Sequence, residues 1–335
     1  MHLVQLTGST SRRVAIVENS RLRLLGEVGS VLALVERSLA ADQTLSKTAQ
    51  QLSSIELLDY DEVYEGRSAW KLMLPVDCPG NPQRVLVSGT GLTHLGSARE
   101  RQAMHLETVT QPGEMTDSMR MFEWGRQSGR PAAGEVGIAP EWFYKGDGSV
   151  LRGPFDALEI PAYAEDGGEE AELAAIYLVD QNGVPWRIGM AIGNEFSDHV
   201  FERRNYLNLA GSKLRTCSIG PELAVDDPFD DVPGSVRLWR DGRLLWEKAI
   251  RTGERNMCHS LANLEHHHFK FAGHRQRGLL HVHFLGADTL SFGEEIRLQS
   301  GDTAEIHFEG FGRPLRNVIK HEESNRKLVT VQAMQ

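Results

Sequence analysis

Glu170 and Glu172 are separated by one alanine at the start of the apolar run Leu173-Ala174-Ala175-Ile176-Tyr177. Side chains at i and i+2 of a strand project from one face, so this spacing predicts two converging carboxylates. Two like charges held close are costly unless a cation neutralises them, and carboxylate oxygens suit a hard divalent ion such as Mg²⁺, with Mn²⁺ or Ca²⁺ as substitutes. Glu195 is a candidate third ligand. It follows the apolar stretch 187–192 and the turn Gly193-Asn194, where a neighbouring strand would deliver it to the same ion. On spacing alone, the pair is also what a solvated acidic strand end contains, because Glu165, Asp166 and Glu169 already make the preceding loop acidic.

Lys213 lies between Ala210-Gly211-Ser212 and Leu214, a setting in which a partly desolvated lysine can hold an enolate by charge or exchange a proton. Three consecutive imidazoles, His266-His267-His268, cannot all face one ion from a strand or helix, so we expect a turn or a partly exposed segment there rather than a zinc site. His94, beside the turn Gly89-Thr90-Gly91, reads as a core or hydrogen-bonding histidine. Nothing matches a G-x-S-x-G elbow, and the two glycines at 89 and 91 lack the third member of a dinucleotide-binding fingerprint.

The elements that must position these groups can be read coarsely. Residues 14–17 and 22–25 are short apolar runs joined by Glu18-Asn19-Ser20, and from Ser30 the residues Val31, Leu34, Val35 and Leu39 fall on one helical face. This predicts a small N-terminal α/β domain over residues 1–80. Three prolines and a glycine in 75–83 predict a linker, and a second domain over 84–335. That domain opens with an apolar run at 85–87 and two helices, near 98–107 and 116–127. It continues as many short strands, among them 173–179, 187–192, 235–239 and 279–285.

Composition excludes several function classes. With 335 residues, 40% of them hydrophobic, the chain can bury a full core. A formal net charge of −10 opposes a nucleic-acid backbone, and no basic stripe with interleaved aromatics offsets it. Three cysteines without a C-x-x-C pair suggest neither a disulfide framework nor a thiolate zinc site. No run approaches the ~20 apolar residues of a membrane span, and the first 13 residues lack the apolar core of a signal peptide. We therefore expect a cytoplasmic protein with no membrane or nucleic-acid partner.

Taken in order, Glu170-Ala171-Glu172, Gly193-Asn194-Glu195, and Lys213 ahead of Gly220-Pro221 resemble the catalytic-domain pattern of the fumarylacetoacetate hydrolase superfamily. Pro140-Glu141-Trp142-Phe143-Tyr144-Lys145-Gly146 resembles the mouth of that family's site. The segment from Ser300-Gly301-Asp302 to Phe308-Glu309-Gly310-Phe311-Gly312 resembles its closing strands. The resemblance covers roughly residues 84–320. It implies a β-rich α+β fold, a mixed β-roll, usually in a homodimer, and a small 2-oxo acid as substrate. It also implies metal ligation by Glu170, Glu172 and Glu195, and substrate contacts from His94, Tyr144, Lys145 and Glu202.

Two departures bear on the reaction. Glu195 stands where the family pattern has aspartate. In place of the family's Tyr-x-x-His-x-x-Glu, this chain has His94-Leu95-Gly96-Ser97-Ala98-Arg99-Glu100, which keeps the glutamate and puts serine where the histidine would activate water. Losing that imidazole disfavours carbon–carbon hydrolysis and favours elimination through a chelated enolate. The resemblance is greatest to the branch that dehydrates 2-keto-3-deoxy sugar acids in pentose breakdown, with Lys213, Glu100 and Ser97 as catalytic groups. A diketo-acid hydrolase or decarboxylase, with Glu100, His94 or His199 as water base, is the alternative. A non-catalytic metabolite binder with a structural metal is a third.

Overall fold

The computed structural model describes residues 1–105, 115–323 and 328–334. Strand Ala171–Val179 is buried at every position, and the layering explains why it reads as a continuous apolar run rather than an alternating one. Leu173, Ala175, Tyr177 and Val179 enter one core with the residues of a second sheet. Ala174, Ile176 and Leu178 enter another, together with helix Val31–Ala40.

The strand pairs antiparallel with Pro185–Asn194, its partner across the Asp180–Val184 turn, and on its other edge with Leu280–Phe284. The large sheet then runs outward through Val85–Gly91, parallel to Leu280–Phe284, to Glu141–Asp147 at the edge. In the other direction Leu223–Ala224 pairs with His2–Thr7, so the N-terminal meander of His2–Thr7, Arg12–Glu18, Arg21–Leu25 and Ser53–Asp59 extends the same sheet. A five-stranded sheet, ordered Arg243–Thr252, Val232–Arg240, Thr303–Phe308, Leu315–His321 and Ala157–Ile160, closes over it. The observed architecture is the expected β-rich α+β class.

Local chemistry sets several helix boundaries. Ser30 Oγ caps the first helix by accepting from the Ala33 amide, and Thr116 does the same for Asp117–Ser128 through Met119. The proline-rich stretch 75–83 carries no strand and no α-helix, only the start of a 3-10 turn at Pro82–Arg84. Helix Leu95–His105 is found where expected, and its anticipated end at Glu107 lies outside the described residues. No helix among the described residues is long and apolar enough to cross a membrane.

The histidine run corrects an expectation. His266, His267 and His268 lie on helix Leu261–Phe269, capped by Ser260, and His268 is buried rather than turn-exposed. The helix forms because Leu261, Leu264 and Phe269 give it an apolar face to bury. His268 bonds His281 at 2.9 Å and the Trp142 indole at 3.2 Å, and His283 spans Ser88 and Thr90 at 2.9 and 2.8 Å.

Burial drives these imidazoles towards the neutral form. The pKa of His281 and His283 falls to about 3, those of His94 and His259 fall to about 4, and His268 is also pushed down. A histidine whose folded pKa lies below its unfolded value contributes stability above about pH 6.5, lost as pH falls towards the folded pKa. We therefore expect unfolding free energy to drop steeply from pH 6.5 to 5, by several kcal/mol. A His283→Asn variant, measured by urea denaturation at both pH values, should be less stable at pH 7 and show a shallower loss on acidification.

Candidate active site

Glu170 immediately precedes strand 171–179, and Glu172 is its second residue. The register sets Ala171 opposite Asn194 and Glu172 opposite Gly193, which brings Glu195 alongside Glu170. One backbone bond and one side-chain bond lock the pair: Glu195 N donates to Glu170 O at 3.0 Å, and Glu170 N donates to the Asn194 side-chain Oδ1 at 3.2 Å. One oxygen from each of Glu170, Glu172 and Glu195 lies within 4.8 Å of the others, and all three residues are buried. Glycine is required at 193, because a Cβ there would lie 2.6 Å from the Phe284 ring.

Lys213 ends the short helix Leu209–Lys213, fully buried, and pairs with both Glu170 and Glu195. It also donates to Ser197 Oγ at 2.9 Å and sits 4.7 Å from the Phe143 ring centroid. Lys145, equally buried, pairs with Glu195 and donates to the Phe196 carbonyl at 3.0 Å. His199 reaches Glu170 through Nε2 at 3.1 Å. Among the described residues Glu172 has no lysine partner. Its carboxylate accepts one amide, from Gly286 at 2.6 Å.

The charges follow from this wiring. Burial opposes ionisation of Glu170, but Lys213 and His199 outweigh it and hold its carboxyl well below the usual range. Burial, reinforced by the charges of Glu195 and Glu170, pushes Glu172 well above it, and burial with Glu170 raises Glu195. Burial also opposes the Lys213 ammonium, yet Glu170 and Glu195 raise its pKa, so Lys213 is a fixed cation. Three buried carboxylates thus share two ammonium groups, and the least compensated is Glu172. An oxygen-only donor set short of positive charge is what Mg²⁺ or a similar hard ion requires. The residues present fit such an ion.

A consequence can be measured. Glu172→Gln removes the least compensated charge, so we expect the metal-free variant to melt above the wild type. Saturating Mg²⁺, worth about 2.7 kcal/mol at 100 Kd, should raise the melting temperature of the wild type by several degrees and of the variant by much less. Equal Mg²⁺ shifts in both proteins would remove Glu172 from the ion's ligands.

The remaining residues divide. Glu202, on helix His199–Arg204, is buried and ion-pairs with Arg101 at 2.8 Å. Glu100 lines a cavity of about 830 Å³ with Met104, Arg203, Phe292 and Glu295. Its carboxylate accepts from Thr289 Oγ1 at 2.9 Å and Leu290 N at 3.0 Å, and burial pushes its pKa up to about 7. Ser97 donates to its own helix start, at the His94 carbonyl.

His94 is buried and bonded within the protein, and Tyr144 lies on the exposed face of its strand. Both ring nitrogens of His94 are engaged, with Thr93 at 2.9 Å and Thr252 at 3.1 Å. Tyr144 is 45% exposed, because on strand 141–147 it alternates with Phe143 and Lys145, which take the buried face.

Sequence reasoning missed two groups on this side of the site. Glu141 shares the buried face of Phe143 and Lys145, and Arg101 clamps both of its oxygens at 2.8 and 3.0 Å. Gly91 makes room for that carboxylate, since a Cβ at 91 would lie 1.8 Å from Glu141 Oε2. The same i, i+4 strand reading that starts from Lys145 finds Glu141. No local signal finds Arg101, whose partners are 40 and 101 residues away.

No family model and no curated protein matches the sequence. Solved structures do match. A 2-keto-3-deoxyarabinonate dehydratase superposes with TM-score 0.72 at 18% identity, over 97% of this chain and 100% of that one. The fold is that of this dehydratase. A second structure of 2-keto-3-deoxy-D-arabinonate dehydratase, complexed with magnesium and 2,5-dioxopentanoate, gives 0.71 at 18% identity with the same coverage. A 5-carboxymethyl-2-hydroxymuconate delta-isomerase from Mycobacterium smegmatis gives 0.59 at 15% identity, over 96% of this chain and 100% of that one. The isomerases share the scaffold at a lower score, so the choice of reaction rests on side chains.

Proposed function

We propose that this protein is a metal-dependent dehydratase of the fumarylacetoacetate hydrolase superfamily, converting a 2-keto-3-deoxypentonate to 2,5-dioxopentanoate. The observation that carries the reading is the buried Glu170, Glu172 and Glu195 set with Lys213 fixed against it. A bound Mg²⁺, held by those three carboxylates, would supply Lewis-acid chemistry towards a 2-oxo acid. Two solved structures at 18% identity carry the name of a dehydratase of this class, one with magnesium and 2,5-dioxopentanoate bound, which supports the same choice.

The chain's own residues then divide the work. Lys213, kept protonated by Glu170 and Glu195 and shielded by Phe143, places a fixed positive charge where negative charge builds on the 2-oxo oxygen as C3 loses its proton. Lys145 orients Glu195 and keeps its longer side chain aimed at the cluster. Glu141, an acceptor on the same strand face, takes the C3 proton. Glu100 fits the role of acid for the C4 hydroxyl that leaves as water, since burial has brought its pKa to about 7. A proton shift from C5 completes the aldehyde.

The alternative, cleavage of a diketo acid, needs a base beside water. His94, one candidate, is bonded on both sides and has its pKa lowered to about 4 by burial, which disfavours that reading. Deuterium exchange at C3 separates the two. In D₂O with Mg²⁺, the 2-keto-3-deoxypentonate C3 signal should vanish from the proton spectrum faster than with metal-stripped protein. Exchange that ignores both Mg²⁺ and Lys213 would overturn the assignment.

A further inference from the structure

Glu170, Glu172 and Glu195 lie deep, at 6%, 1% and 0% exposure, and none of them lines the cavity of about 830 Å³ that holds Glu100. Phe292, which does line it, stands between. Its ring centroid is 5.2 Å from that of His199, whose Nε2 bonds Glu170 at 3.1 Å. The guanidinium carbon of exposed Arg203, another lining residue, is 5.1 Å from the same centroid. His199 and Arg203 are four residues apart on helix His199–Arg204, so the ring covers one face of that helix from its buried end to its open end.

The ring belongs to a segment with few ties to the sheets. Residues 286–295, between strands Leu280–Phe284 and Thr303–Phe308, pair with no strand and contain only the 3-10 turn Ser291–Glu294. Three carboxylates hold its inner side. Glu172 accepts from Gly286 N at 2.6 Å, Glu100 from Thr289 Oγ1 and Leu290 N at 2.9 and 3.0 Å, and Glu169 from Ser291 N and Oγ, both at 2.8 Å. On the outer side Asp288 accepts from the Arg251 amide and Glu294 from the Trp246 indole, at 3.1 and 3.0 Å. Ala287, Leu290 and Phe292 pack with Met104 and Val200 in a small cluster of their own. A segment with few apolar contacts and no ladder opens locally at a fraction of the cost of global unfolding.

We infer that 286–295 is a strap with Phe292 as its gate: the strap swings out, the ring leaves His199, and the ion and a small 2-oxo acid pass from the cavity to the buried carboxylates. The inference rests on the metal and 2-oxo acid reading above and adds how those ligands enter. One movement has three effects. It clears the path, releases the Glu100 carboxylate from Thr289 and Leu290, and frees Glu172 from the Gly286 amide. Gly286, at φ +102°, sits at the pivot in a conformation that suits glycine. Closed again, the ring keeps bulk water from the reacting acid.

A gate sets how fast a ligand enters and leaves, and not how tightly it is held once inside. Stopped-flow mixing with Mn²⁺, and release of bound Mn²⁺ into EDTA, give the two rates. Phe292→Ala should raise both by about tenfold and leave Kd within about threefold of wild type. Phe292→Leu, which restores an apolar plug, should keep both rates within about threefold of wild type. Unchanged rates in Phe292→Ala overturn the inference, and so does a change in Kd carried by dissociation alone. Hydrogen exchange on the metal-free wild type reads the strap with no ion and no variant. There the Leu290 and Ser291 amides should be protected at least about a hundredfold less than the Val282 amide of strand Leu280–Phe284. Equal protection overturns the strap. If Mn²⁺ does not bind the wild type, the metal reading falls, and the exchange result still decides the strap.

Discussion

Lys213→Met is expected to lower kcat about a thousandfold while the protein still takes up its divalent ion. The lysine supplies fixed positive charge, from a fully buried position, to two carboxylates, and in the mechanism proposed above also to the oxygen on which charge develops. Removing one preorganised donor of this kind costs about 10²–10³ in rate, and a full cation in a dry site belongs at the upper end. The same change leaves Glu170 with His199 and Glu195 with Lys145 and the Ser197 hydroxyl, so the buried carboxylates lose a shared cation and the metal-free variant should be destabilised by roughly 3–5 kcal/mol. Added Mg²⁺ should recover much of that stability without recovering the rate. A variant that melts normally with Mg²⁺ and retains full kcat would remove Lys213 from the chemistry.

Arg101→Leu should produce a loss of stability of the same order. It unpairs Glu141 and Glu202 together, each 6% exposed or less, and the cost of leaving buried charges uncompensated is about 3–5 kcal/mol. The loss has a defined sign with pH. Stranded carboxylates have raised folded-state pKa values, so the penalty is full at alkaline pH and shrinks as they protonate on acidification. Urea denaturation at pH 8 and pH 5.5 should show a variant-to-wild-type gap at least twofold larger at pH 8. An equal gap at both values would mean that Arg101 matters for packing alone.

How much of the site was legible in the sequence depends on the range of each contact. Strand periodicity and one turn allowed Glu170, Glu172 and Glu195 to converge and the family resemblance singled that set out; the contact was within reach because the hairpin of 171–179 and 185–194 is local and its register follows from a short turn. The same periodicity, applied to 141–147, places Glu141 with Lys145 and turns Tyr144 outward. Reading that segment as a motif instead of as a strand left open that Tyr144 and Lys145 project from opposite faces. The Arg101 clamp and the His268 to His283 cluster depend on helices docking across the sheet, and neither leaves a trace in local spacing. His266-His267-His268 misled for a related reason: a polar run conceals a helix whose burial is decided by Leu261, Leu264 and Phe269.

The length of Glu195, where the pattern it resembles has aspartate, also has a physical counterpart. The longer side chain reaches Lys145 with one oxygen and Lys213 with the other, with Ser197 adding a hydroxyl at 3.1 Å. Three donors fix a carboxylate that an extra methylene would otherwise leave free to rotate, which reconciles the longer residue with a cluster that demands one position.

The most direct measurement of the central claim is product formation. Metal-stripped protein is incubated with D- and L-2-keto-3-deoxypentonate, with and without Mg²⁺, and 2,5-dioxopentanoate is followed by mass spectrometry. Our account predicts that the product, lighter than substrate by one water, forms from one isomer only when Mg²⁺ is restored. Absence of product from both isomers, in protein shown by calorimetry to have bound Mg²⁺, would contradict it.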